Sequence, residues 1–160
     1  MRKKIFYSGV AMVMWMCAGQ AFLPAQSAAT MDEILSEDRV SFGAASYLLL
    51  AANAALPEEA GFDEAAGRMA ETVPYFSGTG PEESVTLGEY AHLIMQVFGE
   101  SGGLMYRLLP GPRYAARELA FHNVIQEKAF PNASLSGVRA VRILERFLSM
   151  REETPTGGEA

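Results

Sequence analysis

Three segments of the chain begin in the same way, and they constrain the fold more than any other feature of the sequence. They are VSFGAASYLLL from Val40, VTLGEYAHLIM from Val85 and LSGVRAVRILE from Leu135. Each has an apolar residue, a serine or threonine, and then apolar residues spaced as on one face of a capped helix. Starting points at 40, 85 and 135 have the spacing of a repeated supersecondary unit, which predicts two to three helix-loop-helix units.

The second of these segments carries a complete helix-start signal. Thr86 is placed to accept the amide hydrogen of Glu89, and the Glu89 carboxylate is placed to reach back to the Thr86 amide. Val85 before the cap and Tyr90 after it have the positions of a hydrophobic staple. This capping box is sufficient to explain Thr86 and Glu89, and the alternative is that the pair belongs to a binding motif.

The rest of the chain beyond residue 29 also has helical patterns. Ser41 and Ser136 are expected to cap two further helices. Helices are predicted over residues 41–55, 62–73, 86–98, 113–130 and 137–150. Strand signals are weak, so the predicted fold class is all-α, with the units packed as one domain over residues 30–150. Residues 151–160 are charged and then rich in Pro and Gly, which predicts a disordered tail.

The first 29 residues have the order of a secretory signal peptide. Basic residues at positions 2–4 are followed by an apolar run to about Leu23, and small residues follow Pro24. Ser27 and Ala29 fit the −3 and −1 positions of a cleavage site. The sequence therefore predicts export, with cleavage after Ala29 or, as the nearest alternative, after Ser27.

Two other interpretations of this segment keep the chain at a membrane. The apolar run is close to the roughly 20 residues that a spanning helix needs, so it could be an uncleaved anchor. Cys17, the only cysteine, could carry a lipid, although Met16 is not the small residue expected before a lipid-modified cysteine. Cleavage at either predicted position removes Cys17, and the mature chain then contains no disulfide and no cysteine-based metal site.

Export also makes the chain more acidic. Removal of the basic residues at positions 2–4 leaves 10 Lys and Arg against 19 Asp and Glu, a net charge of −9. Nucleic acids and anionic lipid surfaces are bound mainly through Lys and Arg. The predicted partners therefore exclude nucleic acid, and they include a membrane only if the signal segment is uncleaved or Cys17 is lipidated.

Catalytic and cofactor motifs are not found in the sequence. It has no nucleophile elbow, phosphate-binding glycine loop or dinucleotide fingerprint. His92 and His122 are the only histidines, and Glu118 lies four residues before His122. These three could in principle bind zinc, but no metal-site spacing accompanies them. The expectation is two partly exposed helix histidines, no cofactor, no metal and no enzyme, with a small periplasmic enzyme using His92 or His122 as a minor alternative.

Arg139, Arg142 and Arg146 are spaced by three and four residues on the last predicted helix. Residues at this spacing share a helix face, so they form a local basic stripe in an acidic chain. A solvated face is the usual explanation, and a docking surface for an acidic partner is the other. With Thr86 and Glu89, these arginines are the candidate binding residues.

The helix starts resemble the S-layer homology family. Each repeat of that family is a helix, a loop and a second helix that begins with a motif of the form Ile-Thr-Arg-Ala-Glu-Phe-Ala. The stretch Val85–Ala91, VTLGEYA, looks like that motif, and RYAARELAFHNVI from Arg113 is similar to the family's first helix. The resemblance covers about Ser36 to Met150, and it implies a repeated helical fold and attachment to cell-wall polysaccharide.

The chain departs from the family where the family binds glycan. The arginine that follows the threonine in the family is Leu87 here, and the matching residues of the other segments are Phe42 and Gly137. The glutamate of the motif occurs once, as Glu89. The residues that persist are those that start and pack a helix.

The sequence as a whole predicts an exported, non-catalytic interaction module of the cell envelope or periplasm. Its partner is expected to be another envelope protein or a cell-wall glycan. A membrane-tethered lipoprotein of structural role is the main alternative. The arginine stripe and the loop from Pro74 to Glu83 are the surfaces singled out for binding.

Overall fold

The computed structural model describes residues 23–153 except residues 58 and 127. This part of the chain contains seven α-helices and no strand, which confirms the predicted all-α class. The helices are α1 (Leu23–Ser36), α2 (Phe42–Ala52), α3 (Phe62–Thr72), α4 (Leu87–Val97), α5 (Leu104–Leu108), α6 (Pro112–Phe121) and α7 (Gly137–Glu153), with a short 3₁₀ turn at Pro74–Phe76.

The chain divides into two units between Glu33 and Ile34. In the first unit, the structure describes only the part of α1 that precedes Ile34. In the second unit, α2 packs against α3 and α4 packs against α6, while α2 also contacts α4 and α7. One hydrophobic core joins these helices. Its largest fully buried side chains are Tyr90, Phe42, Phe147, Ile34, Leu49, Met69, Leu87, Leu93, Ile94, Leu119, Leu135 and Ile143.

The three segments that begin alike meet through backbone hydrogen bonds. The Val85 amide donates to the Val40 carbonyl at 3.0 Å, and the Val40 amide donates to the Leu135 carbonyl at 2.7 Å. Two isolated antiparallel bridges add to these contacts, Ser41 with Ser84 and Thr86 with Ser134. The segments that lead into the three helices are therefore hydrogen-bonded to one another.

Helices α2 and α4 repeat one local geometry. The amides of Gly43 and Gly88 donate to the carbonyls of Pro81 and Pro131, both at 2.8 Å. A Cβ on Gly43 would lie 3.2 Å from the Pro81 oxygen, and one on Gly88 would lie 3.0 Å from the Pro131 oxygen. These approaches are tight for any residue with a Cβ, so the two glycines let the incoming loop pack directly on the first turn of each helix.

The largest differences from the predicted boundaries are at helix ends. The helix predicted over residues 113–130 stops at Phe121, because Asn123 takes a left-handed conformation at φ 59°. Val124 and Ile125 remain buried although they lie beyond the helix. The last helix continues to Glu153, past the predicted end at residue 150. The rest of the predicted tail lies outside the described residues.

The N-terminal predictions fall mostly on residues 1–22, which the structure does not describe. The predicted cleavage positions lie within α1, which runs from Leu23 to Ser36. None of the described helices has the length and apolar character needed to cross a membrane.

Candidate functional site

The two motif residues Thr86 and Glu89 form a capping box in the structure. The Glu89 amide donates to Thr86 Oγ1 at 3.3 Å, and Glu89 Oε2 accepts from the Thr86 amide and hydroxyl, both at 2.8 Å. The structural interpretation of the pair is thereby confirmed. Both side chains are half-buried. A binding role for the same atoms stays a prediction.

Helix α2 reaches the same arrangement from a different position in sequence. The Ser41 hydroxyl caps α2 by accepting from the Ala44 amide at 3.2 Å. Glu37, four residues before the cap, then accepts from the Ser41 amide at 2.6 Å and from its hydroxyl at 3.2 Å. Glu37 therefore supplies the carboxylate that Glu89 supplies to α4, a role that the sequence analysis missed.

His92 is buried, so the expectation of a partly exposed residue is wrong for it. Its side chain is 5% exposed and packs against the rings of Tyr75, Phe76 and Tyr106. The Tyr106 hydroxyl lies 3.0 Å from Nδ1 of His92. It also accepts a hydrogen bond from the side-chain amide of Gln96, Nε2, at 2.9 Å. Because Gln96 occupies the oxygen as a donor, the Tyr106 proton is available for the His92 ring.

Burial sets the protonation of this cluster. Desolvation lowers the pKa of His92 below its usual value, because the charged imidazolium loses its hydration. Desolvation also raises the pKa of Tyr106, although the Gln96 hydrogen bond acts in the opposite direction. At neutral pH the cluster therefore consists of uncharged groups, which suits a core position.

His122 lies elsewhere, at the end of α6. Its Nε2 atom is 3.5 Å from Oε1 of Glu118, and its side chain is 46% exposed, as expected for a helix-surface histidine. Its ring also contacts the ring of Phe121. The two histidines thus have separate sets of neighbours. Across the described ranges, no group of three or more His, Cys, Asp or Glu side chains is arranged to hold a metal ion.

The three arginines lie together on the first half of α7. Arg142 is exposed, whereas Arg139 and Arg146 are half-buried. All three border a small cleft of about 10 Å³, which Ile125 and Gln126 close from the other side. We call these three side chains the arginine surface. Half-burial means that Arg139 and Arg146 each pack part of their surface on the protein and leave part in solvent.

The loop from Pro74 to Glu83 is partly tied to the core. The Phe76 ring is buried and stacks on Phe42 at 5.2 Å, whereas Tyr75 is 55% exposed. The Gly80 amide donates to Glu83 Oε1 at 2.8 Å. Six of the ten loop residues are nevertheless exposed, and a binding role for this surface stays a prediction.

A groove of about 1060 Å³ lies where several helices end. Its walls come from the last residues of α2, α4, α6 and α7 and from the loop that follows α4. We call it the C-terminal groove. Its aromatic side chains are Phe98, Phe121 and Phe147, and its charged ones are Glu100, Glu118, Arg151, Glu152 and, when protonated, His122.

Local chain geometry explains why this loop can line the groove. After α4, Gly99 and Gly102 both take left-handed conformations, at φ 67° and 57°. The Glu100 amide donates back to the Met95 carbonyl at 2.9 Å, which turns the chain sharply out of the helix. The stretch GESGG from Gly99 therefore ends α4, and the turn places Glu100 at the groove.

Arg151 occupies part of the C-terminal groove. Its guanidinium carbon lies 5.2 Å from the ring centroid of Phe98 and 5.9 Å from that of Phe147. Its Nε atom is 3.4 Å from Oε1 of Glu100. The sequence analysis missed this site because it assigned Arg151 to the disordered tail. The four-residue spacing from Phe147 to Arg151, which continues the helix, was the available signal.

No family model, no curated protein and no solved structure matches the chain.

Proposed function

We propose that the protein is a non-catalytic, exported interaction module of the cell envelope that docks an acidic partner on the arginine surface. The observation that carries the proposal is the grouping of Arg139, Arg142 and Arg146 around one cleft on α7. The chain is otherwise acidic, with a net charge of −6 before any cleavage. A local cluster of guanidinium groups in such a chain is suited to carboxylates or phosphates, which it binds with directional hydrogen bonds.

The capping boxes support a scaffold role for the repeated motif. Thr86 and Glu89 use their polar atoms on each other and on the backbone, so the motif serves α4. The glycan-binding arginine of the resembling family is replaced by Leu87, which is fully buried. The proposed partner is therefore, in the first place, another envelope protein, with an anionic cell-wall glycan as the second possibility.

Export is supported by the N-terminal pattern and is compatible with the core. Cleavage after Ala29 would leave Ile34, which is fully buried, and Glu37, which caps α2. Determination of the N-terminus of the protein purified from its host tests this step. A start at Ala28 or Thr30 supports export by cleavage. A start at Met1, or a lipid on Cys17, would instead support the membrane-tethered alternative.

The docking surface is tested by co-sedimentation of the purified protein with isolated cell-wall sacculi. Arg139, Arg142 and Arg146 are replaced together by Gln. The matched control replaces Arg107, Arg113 and Arg117 by Gln. These three arginines are exposed, and their replacement changes the net charge by the same amount. Retention that only the first variant loses indicates a wall glycan on the arginine surface.

A protein partner is tested by photo-crosslinking in the envelope. A photoreactive residue in place of Arg142 is compared with one in place of Arg107. A defined adduct from position 142 alone supports a protein partner at the arginine surface. Equal sedimentation of both variants together with equal crosslinking from both positions would contradict the proposal.

A further inference from the structure

The C-terminal groove has an electrostatic character opposite to that of the arginine surface. Residues at the C-terminal ends of α2, α4, α6 and α7 line it, and the aligned peptide dipoles give each helix C-terminus a partial negative charge. Three carboxylates, Glu100, Glu118 and Glu152, line the same space against one guanidinium, Arg151. Both the backbone and the side chains therefore favour a positively charged occupant.

The walls of the groove favour an occupant that also has apolar parts. Phe98 and Phe147 pack with ring centroids 5.0 Å apart, and Phe121 is 79% exposed. Met95, Leu148 and Met150 also line the groove. An aromatic face binds a cation through its quadrupole and binds aliphatic groups by burial, so the same surface accepts both.

Arg151 shows which chemical group the groove accommodates. Its guanidinium lies on the rings of Phe98 and Phe147 and pairs with Glu100. The side chain is nevertheless 44% exposed, so it can leave without unfolding the helix that carries it. An arginine from another chain could make the same three contacts, and the internal arginine would then compete with it.

We propose that the C-terminal groove binds a basic, partly apolar peptide segment of a partner protein. A volume of about 1060 Å³ leaves room for several residues of a peptide, and it lies at the upper end of the roughly 300–1,000 Å³ of small-molecule sites. Basic side chains of the segment pair with Glu100 and Glu118, and its apolar side chains cover Phe121 and the accessible part of Phe98. This site goes beyond the proposed docking at the arginine surface and does not depend on it.

The first test is a binding titration followed by fluorescence anisotropy. The probe is a labelled 12-residue peptide of alternating Arg, Leu and Ala, and the reference probe has Glu in place of every Arg. The purified full-length protein is expected to bind the basic probe and not the acidic one, with affinity that falls as salt rises. Equal binding of the two probes would overturn the proposal.

Variants locate the binding. Replacement of Glu100 and Glu118 by Gln is expected to weaken binding of the basic probe by about tenfold, because two facing charges are lost. The matched control replaces Glu64 and Glu71 by Gln on α3, with the same change in net charge. An equal loss in both variants would mean that the probe responds to overall charge, and the groove would be rejected.

The Arg151→Ala variant separates binding from a merely structural role. Removal of the internal cation empties the faces of Phe98 and Phe147 and makes the groove more negative. Binding of the basic probe is therefore expected to tighten by roughly three- to tenfold. Unchanged or weaker binding by a variant that melts like the wild-type protein would overturn the proposed competition between Arg151 and the peptide.

The last arm distinguishes a peptide from a small cation. Agmatine, which carries a guanidinium on a short aliphatic chain, replaces the peptide in the same titration. The peptide is expected to bind far more tightly, because it covers the aromatic side chains as well as pairing with the carboxylates. Equal affinity of agmatine would show a small-cation site and would overturn the peptide assignment.

Discussion

At the scale of single residues, the two matching helices α2 and α4 differ in the residue that ends them. Ala54 and Gly99, 45 positions apart, both follow the C-cap in a left-handed conformation, at φ 51° and 67°. Both helices end in the same pair of backbone hydrogen bonds. At the end of α2, the Ala54 and Ala55 amides donate to the carbonyls of Ala51 and Leu50. At the end of α4, the Gly99 and Glu100 amides donate to the carbonyls of Gln96 and Met95. Glycine adopts this conformation without strain, whereas alanine does so at a cost.

The Ala54→Gly change is therefore expected to stabilise the fold. Relief of the left-handed strain is worth about 1–2 kcal/mol, and the greater freedom of glycine in the unfolded chain offsets part of it, which leaves a net gain of about 0.5–1 kcal/mol. Gly99→Ala is the reciprocal control, because a Cβ there meets no atom within 4 Å and only the backbone conformation matters. Thermal melts should move in opposite directions, and a shift of the same sign in both would contradict this explanation.

At the scale of elements, local signals in the sequence were sufficient to predict where helices begin. Ser41, Thr86 and Ser136 were identified because a cap depends on residues within one turn, and the structure confirms all three. The role of Glu37 could not be found in this way. Glu37 lies before the helix that it caps, and its carboxylate reaches Ser41 only because the chain between α1 and α2 bends. The C-terminal groove depends on where four helices end together, which no local pattern specifies.

The two capping carboxylates are expected to be energetically equivalent despite their different positions. Glu37→Ala and Glu89→Ala each remove two hydrogen bonds at a helix start and a favourable charge next to the helix dipole. Each should reduce the free energy of unfolding by about 1 kcal/mol. Glu145→Ala, on the exposed side of α7, should change it by less than about 0.5 kcal/mol. Denaturant titration measures all three, and an unaffected Glu37→Ala protein would refute the equivalence.

At the scale of the whole molecule, α7 carries two surfaces of opposite sign. Its first half presents the arginine surface, and its last turns form part of the acidic, aromatic groove. The distinction was only half visible in the sequence, because Arg139, Arg142 and Arg146 follow helical spacing whereas Arg151 lies in a stretch whose composition favours disorder. Arg146 of the arginine surface and Phe147 of the groove are neighbours in sequence, but they line different clefts, so the charged residues of each site can be altered without those of the other.

The buried histidine ties the stability of the whole fold to pH. Burial lowers the pKa of His92 in the folded state, while the unfolded chain keeps the ordinary value near 6.5. Between the folded pKa and about 6.5, the unfolded state binds more protons, so stability is complete above this range and is lost as pH falls through it. The slope from this one group cannot exceed about 1.4 kcal/mol per pH unit. We therefore expect the melting temperature to fall between pH 7 and pH 5.

The His92→Phe variant should lack this dependence, because the aromatic packing against Tyr75, Phe76 and Tyr106 is kept while the titrating ring is removed. Its melting temperature can be lower at pH 7, since Tyr106 loses a hydrogen-bond partner, and the informative quantity is the slope against pH. His122→Gln is the matched control, because that ring is largely exposed at the end of α6. If the wild-type slope persists in His92→Phe, the pH response does not come from the buried ring, and the prediction is wrong.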